Sequence, residues 1–322
     1  MLFGATACAQ SLSDRTVQST LPTWHTDTQP IMGTRVHVEI LHKDQEYAAA
    51  TIAAVMAEMH RIDHAFSPYK ETSEISRVNR NAGAGWVEIS NEMAELLRKS
   101  AQISQLTGGA FDITYASIGR YYDYREEKTP DEASIQAAIH AIDYRHVELE
   151  QNRVRFKHPS VYIDLGGIAK GYAVDRGIQI LSERGIAQGS VAAGGDSRIL
   201  GDRGGQPWTV GVQHPREPDK MAVLLPLIDT AVSTSGDYER YFERDGVRYH
   251  HILDPSTGRS ADGAWSVTIL GDEAMFTDGL STSVFVLGPE KGMALINRMP
   301  GVDAIIIDPA GQMTYSDDLS GL

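Results

Sequence analysis

Residues 34–66 read TRVHVEILHKDQEYAAATIAAVMAEMHRIDHAF. The first seven alternate, with Val36, Val38 and Ile40 on one side, the period of a strand with one buried face. Then the period lengthens. Ala48, Ile52, Val55, Met59, Ile62 and Phe66 recur at steps of four and three, which is one apolar face of a helix. Such a face must be covered, and a half-apolar strand belongs to the sheet that covers it. The stretch therefore predicts a helix packed on a sheet.

The rest of the chain repeats both periods without regular alternation. A second helix is predicted from Asn91 to Thr107, stopped by Gly108 and Gly109. TPDE (129–132) is a helix start, with Thr129 as N-cap, Pro130 at the first helical position and Glu132 completing a capping box. RHVELE and RVRFKH flank Gln151-Asn152 as a hairpin, and VYIDL (161–165) reads as a short strand. A helix follows from about Gly167 to Arg184, capped by Gly185. WTVGVQ, MAVLLPLI, YHHIL, WSVTIL and VDAIII read as strands, and 273–287 and 290–298 as helices. No fixed-period repeat is visible, so the fold class is α+β. Residues 10–30 are polar, with Pro22 and Pro30, and read as a tether, with order expected from about Met32. The expected division is a leader and tether over 1–30 and one domain over 31–322.

Of the 322 residues 42% are hydrophobic, enough for a substantial core. Lys and Arg number 29 against 43 Asp and Glu, a formal charge of −14, so the mean field repels nucleic acid and anionic membrane. A phosphate ligand must then be held locally, with a metal helping. The single cysteine, Cys8, excludes an internal disulfide. Its setting, MLFGATACAQ followed by polar residues, resembles the end of a bacterial lipoprotein signal, although no basic segment precedes it and Ala5 stands where Leu is usual. The expectation is a periplasmic protein lipid-anchored to the inner membrane through Cys8, with a soluble exported form as the alternative. No later window approaches a membrane span.

Three stretches carry chemistry. In DLGGIAKGYAVD (164–175), Gly166 and Gly167 fall where a strand gives way to a helix, a place where unpaired N–H groups and the helix dipole favour an anion, with Lys170 in the first turn. Lys170 is followed by Gly171, which departs from the Walker pattern, and the two glycines equally suit a close approach of strand and helix. In FTDGLSTSVF (276–285), Asp278 and Thr282 share a helix face, an oxygen-donor pair suited to a hard cation. They equally suit an Asp favoured by the helix dipole and a locally satisfied hydroxyl. VRYHHILDPSTG (247–258) sends His250 and His251 to opposite sides, and a buried histidine held by a carbonyl is as natural a reading as a catalytic one. MGT (32–34), FSPYKETSEISRVN (66–79), GGAFDIT (108–114), AAGGDSRILG (192–201) and STSG (233–236) complete the set.

In that order and spacing these motifs resemble the ApbE family of Mg²⁺-dependent FAD:protein FMN transferases, over about Met32 to Leu319. The resemblance implies an α+β core of the T-fold type. It implies that Met32 and Tyr69 line the FAD site, that Ala110, Phe111 and Asp112 form a flavin-binding segment, and that Asp164, Lys170 and Ile252 contact or neighbour FAD. Gly167, through its carbonyl, Asp278 and Thr282 are implied as ligands of Mg²⁺, with Mn²⁺ as the alternative. His251 is the implied catalytic base, with metal-bound Asp278 acting through water as the other candidate. YASIGRYYDYREE (115–127) departs from the usual run after FDIT, which leaves that wall of the pocket open. The expected reaction is attack by a Thr or Ser hydroxyl of an acceptor flavoprotein on the FMN phosphorus of FAD, releasing AMP. A subunit of a sodium-pumping NADH:quinone oxidoreductase is the acceptor type implied. Hydrolysis of FAD by water and non-catalytic FAD carriage are the alternatives.

Overall fold

The computed structural model describes residues 21–320. Eight strands form one sheet: β1 (Thr23–Ile31), β2 (Thr34–His42), β3 (Gly189–Ala193), β4 (Asp196–Leu200), β5 (Ala231–Gly236), β6 (Ser266–Gly271), β7 (Asp303–Ile307) and β8 (Met313–Tyr315). They lie side by side in chain order, each antiparallel to the next. Among the described residues the other elements are inserted between neighbours of this meander, except a short helix, Asp317–Ser320, that follows β8. The principal helices are α1 (Gln45–Phe66), α2 (Asn91–Leu106), α3 (Ala169–Glu183) and α4 (Ala274–Ile296). Helix α3 lies between α1 and α4, and these three cover one face of the sheet.

The residues that predicted this arrangement are the ones that hold it. Val36, Val38 and Ile40 of β2 are wholly buried, facing Ala48, Val55, Met59 and Ile62 of α1 in one apolar cluster. The opposite sheet face presents Val232, Leu270 and Ile305, covered by Val212 and Leu225 of a hairpin, Trp208–Gln213 with Met221–Leu227. Helix α4 breaks at Gly288, whose φ of 76° is non-helical, just before Pro289. The break separates the two helices read from the sequence.

Where α3 and α4 cross, a Cβ on Gly171 would stand 2.1 Å from the Ala274 carbonyl oxygen. That oxygen is backbone and cannot step aside. Gly171→Ala is expected to destabilise the protein by about 3 kcal/mol in urea unfolding, because two helix backbones must separate. Gly85, with nothing within 4 Å of its Cβ position, is the control. There Ala should change stability by less than about 0.5 kcal/mol.

Three expectations change. Order begins before Met32, because Thr23–Ile31 pairs with β2 along its whole length. Pro30 misled the reading, since an edge strand tolerates a proline that an inner strand would not. Residues 161–165 join no ladder. The helix at TPDE starts at Glu132, with Asp131 as N-cap accepting from the Ser134 N–H at 2.8 Å, so the cap is two residues later than Thr129. Cys8 and the leader lie outside the described residues.

Candidate active site

Segment 161–165 is held by side chains instead of a neighbouring strand. Asn79 accepts the Ile163 N–H through Oδ1 at 2.8 Å and donates Nδ2 to the Ile163 carbonyl at 2.9 Å. Ser117 Oγ accepts the Tyr162 N–H at 3.0 Å, and the Ile113 carbonyl accepts the Asp164 N–H at 3.0 Å. An amide side chain thus imitates one rung of a sheet. Asp164 Oδ1 then accepts the Gly166 N–H at 2.6 Å, turning the chain into α3.

Several amides at this junction are engaged. Besides Gly166, the Ile168 and Ala169 N–H groups donate to the Leu165 carbonyl at 3.0 and 2.8 Å, and the Gly171 N–H donates to Asp278 Oδ2 at 3.0 Å. The anion received by this helix start is the protein's own Asp278. The Gly166 amide, read from the sequence as open to an anion, is thereby taken by the turn, and that of Gly171 by α4.

Asp278 and Thr282, one turn apart on α4, both face the junction. Thr282 Oγ1 lies 3.4 Å from the Cβ position of Gly167 and 3.4 Å from Ser235 Oγ, which also bonds Ser281 Oγ at 2.8 Å. Lys170 Nζ is bonded to Asp196 Oδ2 and lies 3.4 and 3.5 Å from the two Asp278 oxygens. Asp196 and Asp278 are almost fully buried. Burial first, then the Asp196 charge, pushes the Asp278 carboxyl up to about 7 against the pull of Lys170. Burial by itself would depress Lys170, yet the two carboxylates hold it above its ordinary value. Once Asp278 is ionised, two carboxylates against one ammonium leave an anionic excess in a buried place, with the Thr282 hydroxyl one turn along the same helix. That donor chemistry fits a hard divalent cation. Among the described residues no group of three or more His, Cys, Asp or Glu side chains is placed to hold a metal, so Asp278, Thr282 and the Gly167 carbonyl are the donors to test.

The strand read through both histidines ends at His250, and His251 follows it in a bend, so the two rings are placed by different local backbones. His250 is buried, with Nε2 at 2.7 Å from the Ala261 carbonyl and Nδ1 accepting the Ile252 N–H at 3.3 Å, its ring edge-on to Phe285. Both nitrogens serve the fold. His251 Nδ1 is buried without a partner. Burial first, then Arg240, His250 and Lys170, lowers the His251 imidazole to about 3, so it is neutral at ordinary pH. An unprotonated ring beside two cations is suited to take a proton once an anion arrives.

The remaining candidates divide. Phe111 is buried with its ring 3.2 Å from the Gly167 Cβ position, so it floors the junction. Met32 and Gly33 form the two-residue turn of the β1–β2 hairpin, with φ of 56° and 70°, and Arg240 Nη2 lies 3.6 Å from the Gly33 Cβ position. Tyr69 is 85% exposed and within electrostatic reach of Asp164 and Arg240, at the rim. Ala110 follows the left-handed pair Gly108–Gly109. Two side chains turn inward. The Asp112 carboxylate is engaged by Thr114 (N–H at 2.8 Å, Oγ1 at 2.6 Å) and by the Tyr144 N–H at 2.7 Å, and Ile252 is in the apolar core. At the departure from the family pattern, Tyr122 stacks on Tyr124 and Ile118 packs with Leu253, giving that wall an aromatic and aliphatic backing of its own.

A family model for the ApbE family matches residues 32–306. The chain belongs to the ApbE family. A protein named FAD:protein FMN transferase from Vibrio cholerae is 33% identical over 84% of this chain and 84% of its own length. One of the same name from Treponema pallidum is 31% identical over 87% and 83%. The crystal structure of the ApbE protein of Thermotoga maritima superposes with a TM-score of 0.85 at 36% identity, covering 92% of this chain and 98% of that one. The α+β fold is therefore that of ApbE structures.

Within this ApbE-family site, several residues were not singled out by the sequence reading. Asp196, Arg240, Asn79 and Ser235 come from four separate stretches. Asp196, Ser235 and Asn79 lie in the motifs singled out above, and a Gly-Gly-Asp run leaving a strand could have flagged the first. Asn79 and Arg240 give no local signal, because their partners are 84 and 11 positions away or known only by proximity.

Proposed function

We propose that this chain transfers FMN from FAD to a Thr or Ser hydroxyl of an acceptor flavoprotein and releases AMP. The observation that carries the reading is the meeting of Lys170, Asp278 and Thr282 at the Gly166–Gly167 junction, with the unpartnered His251 Nδ1 within electrostatic reach of Lys170. Family membership and the names of its relatives support flavin transfer.

Asp278, Thr282 and the Gly167 carbonyl would hold Mg²⁺, or Mn²⁺ in its place, and the bound ion would supply positive charge to the diphosphate of FAD. Lys170, already drawn between two carboxylates, adds a fixed cation as charge develops on the bridging oxygen. Phe111, Met32 and Tyr69 offer apolar and aromatic surface to the rings of the substrate. The acceptor hydroxyl attacks the phosphorus on the FMN side, a new P–O bond forms, and the bond to the bridging oxygen breaks. AMP departs with that oxygen, and the hydroxyl proton passes to His251 Nδ1. The anionic diphosphate offsets Arg240 and Lys170, the two cations that depress His251, so substrate raises the basicity of the group that must accept this proton. On this reading the enzyme works in the bacterial periplasm, held to the inner membrane through Cys8 or exported in soluble form. A subunit of NADH:quinone oxidoreductase type is a suitable first acceptor.

The test is intact mass of a candidate acceptor after incubation with the protein, FAD and Mg²⁺. A gain of one FMN group, with one AMP released per acceptor, is expected. Steady AMP release without an acceptor would make the protein an FAD pyrophosphatase instead, and FAD retention with neither product would make it a carrier.

A further inference from the structure

Helix α4 carries Asp278 and Thr282 but does not cap itself. Its N-cap residue, Glu273, makes no side-chain bond to the first turn and pairs with Lys99 Nζ at 2.5 Å. The first-turn amides are satisfied from another helix. Asp175 of α3 accepts the Ala274 N–H through Oδ1 at 3.0 Å and the Met275 N–H through Oδ2 at 2.8 Å. Its Oδ1 also accepts from Arg198 Nη1 of β4 at 2.6 Å. One carboxylate therefore ties together α3, α4 and β4.

These are the three elements that meet at the site. Asp175 is four residues after Gly171, so both lie on the α3 face that crosses α4. Asp278 is four residues after Ala274, one turn beyond the capped amides. Arg198 is two residues after Asp196 and shares its side of β4. The site thus has a double rung. In the inner rung α3 supplies the cation and β4 the anion, as Lys170 and Asp196. In the outer rung the signs are exchanged, as Asp175 and Arg198. Gly171 N–H to Asp278 is the matching inner link to α4.

We infer that Asp175 is a positioning residue: by capping α4 from α3 it fixes the turn that presents Asp278 and Thr282 to the divalent ion. This rests on the metal reading given under the proposed function. A carboxylate at this helix start also places negative charge on the positive end of the α4 dipole. Without it two amides lose their acceptor and the first turn of α4 frays, carrying Asp278 with it.

The experiment compares Asp175→Ala, Asp175→Asn and Arg198→Met in the full chain, reading Mg²⁺ binding by calorimetry without turnover and hydrogen exchange of amides 274–279. Asp175→Ala should raise the Mg²⁺ midpoint by about 10-fold or more and speed exchange at 274–279 by a similar factor. Asp175→Asn, which keeps an acceptor oxygen, should recover part of both. Arg198→Met leaves the cap in place and should stay within about 3-fold of wild type. A midpoint within about 2-fold of wild type in Asp175→Ala would overturn the inference, as would an equal loss in Arg198→Met, since the ion pair and not the cap would then be responsible. If Asp175→Ala does not fold, Asp175→Asn decides by the same two readouts, unchanged values overturning the inference. Should wild type take up no Mg²⁺, the functional reading fails, and exchange at 274–279 decides the capping claim alone.

Discussion

Asp278→Asn is expected to lower FMN transfer by about 10³-fold or more at saturating FAD and Mg²⁺, with the fold retained. The substitution is nearly isosteric, and the Gly171 N–H can still find an oxygen there. What disappears is the anionic excess. With Asp278 neutral, Lys170 and Asp196 form a balanced pair, and no net charge remains to draw a divalent ion into a buried position. Added Mg²⁺ should recover little of the rate. Circular dichroism and unfolding midpoint check the fold, and AMP release with acceptor present checks the chemistry. Transfer above one tenth of wild type would remove Asp278 from the metal site.

His251→Ala should cost about 10² to 10⁴ in kcat, with the KM for FAD changed far less, because a base acts on the acceptor's proton and not on FAD binding. The same variant carries a pH signature. His251 is lowered from its ordinary 6.5 to about 3 in the folded chain. Between those values the unfolded chain binds the proton and the folded one does not, so stability falls as pH drops from 6.5 toward 3. One such group contributes a slope of up to about 1.4 kcal/mol per pH unit. His251→Ala should flatten the acid limb of the stability profile relative to wild type, measured by urea unfolding at pH 4 to 7 without ligand. An unchanged acid limb would mean that His251 is protonated in the fold, and the base assignment would go with it.

The fold was legible where a strand alternates and a helix carries one apolar face, as β2 and α1 do. Val36, Val38 and Ile40, and the row from Ala48 to Phe66, are the buried residues of β2 and α1. The errors came where local signals compete. Pro30 suggested a tether although an edge strand admits it, and VYIDL has the composition of a strand but takes its hydrogen bonds from Asn79 and Ser117. No pattern within a few residues reports such partners.

The chemistry of the site divides along the same line. That Asp278 and Thr282 share a helix face and that Lys170 opens a helix follow from backbone periodicity, which is a local property. That Asp278 takes the Gly171 amide at this helix start, that Asp196 makes a second carboxylate beside it, and that Asp175 caps α4 from α3 were decided only when three elements crossed at Gly171. Periodicity fixes the direction of a side chain relative to its own element. Which charges share a buried space depends on the packing of elements whose residues stand 26 to 108 positions apart, and burial then turns that company into altered protonation and an affinity for cations.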